Sequence, residues 1–426
     1  MKSSLIYFFI FCLFSGYLCA EKTKVVYAGF ALSAEFSDLN TIAKYTNKII
    51  EKAKNDGTQN IIDKSLIEVT KKLELHHINL SYNLISEETS KIAMSVFLDQ
   101  EILEEFALPI QDCKKINLDD CYIYRINNQY QIIFFDFKKM TFIKAVPFEG
   151  IYISPPSSKL DEKGKIKLFE ESYANGNWLL PPNVNQEVKT RSAKRIYSEI
   201  FPLIEVKTFY ENYLGVNPSE EGFKINVDKI SSLTPAHILE NIHLLKRQVA
   251  NYFLAEIALK HNVPIVPFYE GVGVGGTLRA KYANRNEVYN LKIPDPTYYV
   301  DFLIRGFLKK EFKKDANVED LTWWIYGSGI NLKIYEPLLN KEFLNIAMTK
   351  ASYKKIPDIM KLNSENEFVN IYQLTLKPLS EEFADIIGSD FKNKKDKEWL
   401  KNTTKNKTKP KDIKKLQKLF ARLSAS

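Results

Sequence analysis

The sequence predicts an α/β protein of the α+β sandwich type, with two α/β domains that each place helices before an antiparallel meander. Apolar residues recur at helical spacing near positions 39–73 and again from Thr234 to about Lys260, and alternating apolar runs follow each helical part. The composition is 45% hydrophobic and 13% aromatic, which is enough for extensive cores. Because the two halves share this order, a tandem duplication is one interpretation.

Each element of the N-terminal half has its own signal. Residues 25–32 read as a strand, and an apolar stripe from Ile42 to Ala53 predicts a helix that ends before Gly57. A second helix carries Ile62, Leu66, Val69 and Leu73 on one side. The strand-like runs that follow are HINLSYNLI, KIAMSVFLDQEILEEFAL, CYIYRINN, YQIIFFDF and TFIKAVPF, the last two joined by a tight turn at 138–140.

The C-terminal half repeats this order. Thr234 is a candidate N-cap, with Pro235 at the first helical position of a long helix. VPIVPFY is a candidate strand, TYYVDFLIRGFLKKEF alternates, and GINLKIYEPLLNKEFLNIAM predicts a hairpin with its turn at 336–341. The predicted division is a signal peptide at 1–20, an N-terminal α/β domain at 21–153, a linker and irregular segment at 154–232, a C-terminal α/β domain at 233–391, and a basic tail with an amphipathic helix at 392–426.

The first twenty residues have the form of a secretory signal peptide. Lys2 precedes a ten-residue apolar run at 5–14, which is too short to span a membrane, and Ala20 is a plausible cleavage site. A lipid anchor on Cys19 is disfavoured because Leu18 stands where lipoprotein processing needs a small residue. The sequence therefore predicts export, to the periplasm first and to the extracellular space as the alternative.

The net charge of +8 is unevenly distributed. Residues 392–426 carry 13 Lys and Arg against three acidic residues, a net charge of +10, so that residues 21–391 have a net charge of −3. A mildly acidic body does not support binding to nucleic acid.

Two cysteines remain after the signal peptide. Cys113 and Cys121 lie eight positions apart, with no histidine or third cysteine nearby in the sequence to complete a metal site. In an oxidising compartment such a pair predicts a disulfide.

A glycine-rich stretch invites comparison with dinucleotide-binding turns. Gly271, Gly273 and Gly276 match G-x-G-x-x-G, and Asp295 follows. However, the residues after Gly276 alternate like a strand, and Asp295 stands between two prolines instead of at a strand end. We therefore interpret the stretch as a flexible loop.

No catalytic, metal or cofactor site is predicted. The pattern H-x-x-E-x-x-H at 237–243 places its two histidines about 120° apart around a helix, so one metal ion cannot be held by both. No nucleophile motif occurs, although scattered carboxylates leave a hydrolase as the alternative, since glycosidase chemistry needs only two of them.

Two segments are candidates for an interaction surface. Trp323 and Trp324 are adjacent in a predicted strand, so one ring packs inward and the other is exposed or at an interface. The tail helix carries Leu416, Leu419 and Phe420 on an apolar stripe beside lysines. Such a helix binds an anionic membrane surface, docks on a protein partner or packs on its own acidic body.

The runs MSVFLDQEILEEFAL, IIFFDFKKMTFIKAVPFEG and YYVDFLIRGF resemble uncharacterised exported proteins of the proteobacterial envelope. The hairpin DFLIRGFLKKEF…GINLKIYEPLLNKEFLNIA is similar to domains of the curli-secretion-lipoprotein and Tol-beta N-terminal type. The resemblance covers about half of the mature chain and implies an envelope protein without bringing catalytic residues. Together with the leader and the cysteine pair, it leads to the hypothesis of a non-enzymatic binding or assembly component of the envelope, of unknown oligomeric state.

Overall fold

The structure is a computed structural model that describes residues 22–33, 39–82, 91–108, 110–174, 200–268, 276–284, 288–314, 321–357, 364–404 and 408–425. The predicted signal peptide, Gly271 and Gly273 lie outside these residues.

Strands and helices contribute similar shares, which confirms the α/β class. The strands are β1 (Thr23–Ser33), β2 (Ile78–Ser81), β3 (Ile92–Ala107), β4 (Tyr122–Asp136), β5 (Thr141–Ile153), β6 (Leu214–Val216), β7 (Phe223–Ile225), β8 (Thr277–Tyr282), β9 (Val288–Lys292), β10 (Tyr298–Lys314), β11 (Leu321–Glu336) and β12 (Lys341–Pro357). The helices are α1 (Leu39–Ile42), α2 (Lys44–Asn55), α3 (Ile61–Thr70), α4 (Ile110–Lys114), α5 (Glu162–Ala174), α6 (Ala236–Glu240), α7 (Ile242–His261), α8 (Ser364–Ile371), α9 (Lys377–Gly388), α10 (Lys394–Thr403) and α11 (Pro410–Ala425).

The first sheet has the strand order β2-β1-β3-β4-β5-β9-β8. Its centre is an antiparallel meander of β3, β4 and β5. The predicted meander had more strands: CYIYRINN and YQIIFFDF are one continuous strand, β4, and the run HINLSYNLI contributes β2, which pairs parallel with β1 outside the meander. At its end, β8 also pairs with β1, so the path of paired strands returns to its beginning. Because β8 and β9 come from the C-terminal half, the predicted domain at 233–391 does not coincide with one sheet, and a tandem duplication is not confirmed.

The second sheet has the order β12-β11-β10-β6, and β7 also pairs with β10. The predicted hairpin is present, since β11 and β12 pair antiparallel along their whole length and Asn340 takes the left-handed conformation in the turn. The two sheets meet at Ile265, which forms isolated bridges to Ala145 of β5 and to Leu214 of β6.

The helices cover both sheets. α2, α3 and α5 pack together at the first core, whereas α9 and α11 belong to the second core. α7 lies between them and contacts both β5 and α9.

Two elements of the C-terminal half differ from expectation. The long helix is interrupted at Asn241, whose Nδ2 donates to the carbonyl of His237, and Thr234 is not its N-cap because its hydroxyl donates to the carbonyl of Ile230. Residues 263–268 of the run VPIVPFY form only isolated bridges, because Pro264 and Pro267 have no N–H to donate to a strand ladder.

The dinucleotide-binding interpretation, rejected from the sequence, also has no support in the fold. The chain after Gly276 enters β8 directly, and β8 pairs antiparallel with β9 and β1. A dinucleotide-binding turn needs a helix at this position.

The segments predicted as linker and tail contain helices. α5 forms between 162 and 174, and residues 392–425 contain α10 and α11. The apolar stripe of α11 is buried in the second core: Leu416, Leu419 and Phe420 are at most 2% exposed. Of the three alternatives for this stripe, packing on the body of the protein is the one that the structure has, so Leu416, Leu419 and Phe420 are not exposed for a membrane or a partner.

Candidate functional site

A cleft of about 500 Å³ opens between β1, the loop that joins α2 to α3, and the end of β8. We call it the Asp63 cleft and define it by Tyr27, Gly29, Asn60, Asp63, Tyr82 and Asn284. Its volume lies within the range of roughly 300–1,000 Å³ that is usual for small-molecule sites.

A buried carboxylate organises the wall of the cleft. Asp63 is 4% exposed and accepts three hydrogen bonds, from the Tyr27 hydroxyl at 2.6 Å, the Phe30 amide at 2.8 Å and the Asn60 side chain at 2.7 Å. Burial raises the pKa of Asp63, and these hydrogen bonds, led by that of Tyr27, oppose the shift. Asp63 therefore fixes β1 to the start of α3.

The beginning of α3 contributes to the same network. Asn60 is its N-cap, and its Oδ1 accepts from the Asp63 amide at 2.8 Å. The spacing Asn60-x-x-Asp63 resembles a capping box and is the signal in the sequence that could have found this pair. Gly57 was predicted as the stop of the preceding helix, whereas the pair that follows it was not predicted.

The floor of the cleft depends on a glycine. β1 has a bulge between Tyr27 and Gly29, and Gly29 takes a φ of +122°, which L-residues rarely adopt. A Cβ atom on Gly29 would lie 3.0 Å from Nδ2 of Asn284. Because Gly29 has no side chain, the Asn284 amide can lie against the backbone of β1.

Two tyrosine rings line the cleft edge to face, with centroids 6.4 Å apart. The Tyr27 hydroxyl donates to Asp63, and the Tyr82 hydroxyl donates to Oγ1 of Thr70 at 2.7 Å. Because both hydroxyls are engaged, the rings contribute mainly carbon surface to the cleft.

The described lining of the cleft differs from that of a two-carboxylate hydrolase. Among the residues that the structure describes, the lining contains one carboxylate, Asp63, and one basic side chain, Lys54. A hydrolase of the two-carboxylate type needs a second carboxyl group on the other side of the scissile bond.

The outer face of the second sheet is a second candidate. The side chains of β11 alternate, so that Tyr326 enters the core while Trp323 and Ile325 lie on the opposite face. Trp324 packs partly against the second core. We call the outer surface the aromatic–lysine face, and it consists of Leu308, Lys310, Phe312, Lys313, Trp323, Ile325, Tyr353 and Lys355.

Large apolar side chains are exposed on this face. Leu308, Phe312 and Tyr353 are each 50–54% exposed, and the rings of Phe312 and Tyr353 meet at 5.2 Å. The Nζ atoms of Lys355 and Lys313 lie 4.5 Å and 5.7 Å from the Trp323 ring centroid. Cations at these distances interact favourably with the indole ring.

Cys113 and Cys121 form the predicted disulfide, which closes the segment between α4 and β4. Both cysteines are buried, and they lie in neither candidate site. Within the described parts of the chain, no helix is both long and apolar enough to cross a membrane, and no group of three or more His, Cys, Asp or Glu residues is suitably placed to hold a metal ion.

No protein-family model matches the chain, and no curated protein matches it either.

Proposed function

We propose that the protein is an exported, non-enzymatic binding component of the cell envelope that docks on an anionic membrane surface through the aromatic–lysine face. The observation that carries the proposal is the exposed Phe312–Tyr353 ring pair beside Trp323 and its two flanking lysines. Aromatic rings favour the interface between headgroups and acyl chains, and each lysine near an anionic surface contributes about 1 kcal/mol.

The site of membrane binding differs from that suggested by the sequence. An amphipathic tail helix binds membranes with its apolar stripe, but the stripe of α11 is buried in the second core. The aromatic–lysine face has the same combination of apolar and cationic side chains in an exposed position.

Export is supported by the signal-peptide pattern of residues 1–20, by the disulfide and by the resemblance to envelope proteins. N-terminal sequencing of the mature protein should begin at Glu21. A different start, or a lipid on Cys19, would contradict this part of the proposal.

Vesicle co-sedimentation tests the docking surface. Mature protein should bind phosphatidylglycerol vesicles but not phosphatidylcholine vesicles. Binding should weaken with added salt, because the Debye length falls from about 10 Å at 0.1 M to about 3 Å at 1 M. The double variant Phe312→Ser, Tyr353→Ser should lose most of the binding.

A matched control comes from the other end of the same hairpin. Leu338 and Leu339 in the β11–β12 turn are 91% and 69% exposed, so Leu338→Ser with Leu339→Ser removes a similar apolar area. This variant should bind as the wild type does. Equal losses in both variants would mean unspecific apolar adsorption, and absence of binding at low salt would favour a protein partner; either result overturns the proposal.

The hydrolase alternative has less support. Among the described lining residues of the Asp63 cleft, the single carboxylate, Asp63, is already engaged by three donors, and two carboxylates at a defined separation are the requirement of that chemistry.

A further inference from the structure

We propose that the Asp63 cleft binds a neutral saccharide of one or two rings. This inference is separate from the membrane docking proposed above, because the cleft belongs to the first sheet and the aromatic–lysine face belongs to the second. The cleft volume of about 500 Å³ accommodates such a ligand.

The polar groups of the lining match hydroxyl groups. Gln59 and Asn284 bring carboxamides and Thr58 brings a hydroxyl, so the lining offers hydrogen-bond donors and acceptors together, whereas both ends of the Asn60 carboxamide are engaged with Asp63. Each sugar hydroxyl is likewise both a donor and an acceptor. A neighbouring pair of hydroxyls can therefore satisfy both ends of one carboxamide.

The electrostatic balance of the cleft excludes a strongly charged ligand. Lys54 is the only basic side chain among the described lining residues, and its Nζ lies 4.0 Å from the Glu51 carboxylate. The one acidic group that the structure describes in the lining, Asp63, is buried and already accepts three hydrogen bonds. A polyanion such as a nucleotide would find little compensation here, whereas a neutral polar molecule needs none.

The tyrosine pair supplies the apolar part of the recognition. Tyr82, whose hydroxyl donates to Thr70, is partly exposed and presents carbon surface to the cleft, whereas Tyr27 is 5% exposed and packs edge to face against the Tyr82 ring. The C–H face of a sugar ring packs against such a surface, while its hydroxyls point to the amides.

Binding of maltose, cellobiose and di-N-acetylchitobiose to the full mature protein provides the test, with saturation-transfer NMR and calorimetry as the measurements. At least one of the three should bind. Gln59→Ala and Asn284→Ala should each weaken that binding by about tenfold, which corresponds to the loss of one or two hydrogen bonds. Both variants should keep the thermal midpoint and the vesicle binding of the wild type.

Asn55→Ala is the matched control, because Asn55 is exposed at the end of α2 but does not line the cleft. It should leave the sugar affinity unchanged. The inference is overturned if none of the three sugars binds, if the two cleft variants bind as tightly as Asn55→Ala, or if glucose 6-phosphate binds and the neutral sugars do not.

Discussion

Lys144 is a charged residue inside the protein, only 1% exposed. Its Nζ donates to the carbonyl of Glu205 at 3.0 Å and to Oδ1 of Asn262. Burial lowers the pKa of Lys144 to about 8 from 10.5, with the Glu205 carboxylate opposing this shift and Lys207 adding to it. The ammonium group therefore links β5 to the end of α7, although its burial disfavours the charged form of Lys144.

Because the pKa of Lys144 is lowered in the folded protein, the free energy of unfolding should depend on pH. Between pH 8 and 10.5 the unfolded chain binds the proton that folded Lys144 has released, so the free energy of unfolding should rise with pH, by up to about 3 kcal/mol. Lys144→Met should remove the rise, measured by urea unfolding at several pH values. Lys139→Met, at an exposed lysine in the β4–β5 turn, should retain it. The same slope in both variants would contradict the assignment.

The disulfide supports a second prediction for single residues. Thiol labelling of denatured, unreduced mature protein should find no free cysteine, because Cys113 and Cys121 are paired. Replacing both by serine should lower the free energy of unfolding by roughly 2–3 kcal/mol in the chain-entropy model, since the closed loop is short. Two reactive thiols in the wild type would contradict the pairing.

Among the elements, α11 shows what an amphipathic pattern leaves open. The spacing of Leu416, Leu419 and Phe420 predicted a helical stripe, and the structure has that helix. The pattern cannot say which surface covers the stripe, because a membrane, a partner and the protein's own core offer the same apolar environment. Polar contacts fix the actual position: Gln417 donates to the carbonyls of Ile387 and Ser389 at the end of α9.

Leu416→Ala should therefore lower the free energy of unfolding by about 2–5 kcal/mol, the usual cost of a cavity at a fully buried leucine. Lys418→Ala, on the exposed side of the same helix, should change it by less than about 0.5 kcal/mol. Chemical denaturation of both variants measures the difference. Equal stability would mean that α11 contributes little to the second core.

The strands show the same division between local and distant information. The alternation of apolar residues in β3, β5, β10, β11 and β12 predicted that these segments are strands. Because the two strands of a hairpin are close in the chain, the sequence also predicted which strands pair. The Asp63 cleft was missed because it joins residues from β1, α3 and the end of β8, which are up to about 250 positions apart. A repeating pattern of apolar residues does not reveal that side chains so far apart in the sequence lie together. The opposite orientation of Trp323 and Trp324 could be predicted because adjacent strand residues point to opposite faces, but the sequence did not tell which of the two rings lies on the outer face.

At the scale of the molecule, the two halves meet across a polar seam. Asp99 of β3 is completely buried and lies 3.4 Å from the Arg247 guanidinium of α7, and Glu149 of β5 lies 3.0 Å from Nζ of Lys377 in α9. Removing one partner of such a buried pair typically costs 3–5 kcal/mol. Each half therefore contains charged side chains whose ion-pair partners lie in the other half.

The first sheet also depends on the C-terminal half for two of its strands. Residues 31–33 of β1 pair with residues 280–282 of β8, and Leu278 and Leu291 are completely buried in the first core. A fragment of residues 21–174 would lose these side chains, the hydrogen bonds of β8 and the cover that α7 gives to β5. Open strand edges and an exposed core favour aggregation over folding.

We therefore expect that this fragment does not fold on its own, whereas the mature chain unfolds in one cooperative transition. Circular dichroism during heating should show no sigmoidal transition for the fragment, and its NMR spectrum should lack the dispersion of a packed core. If the 21–174 fragment fails to fold because it lacks the polar seam and β8, adding a separately produced fragment of residues 200–426 should restore the sigmoidal unfolding transition. A fragment that is monomeric and melts sharply by itself would show that the first sheet is an independent domain, as the predicted boundary at 153 implies.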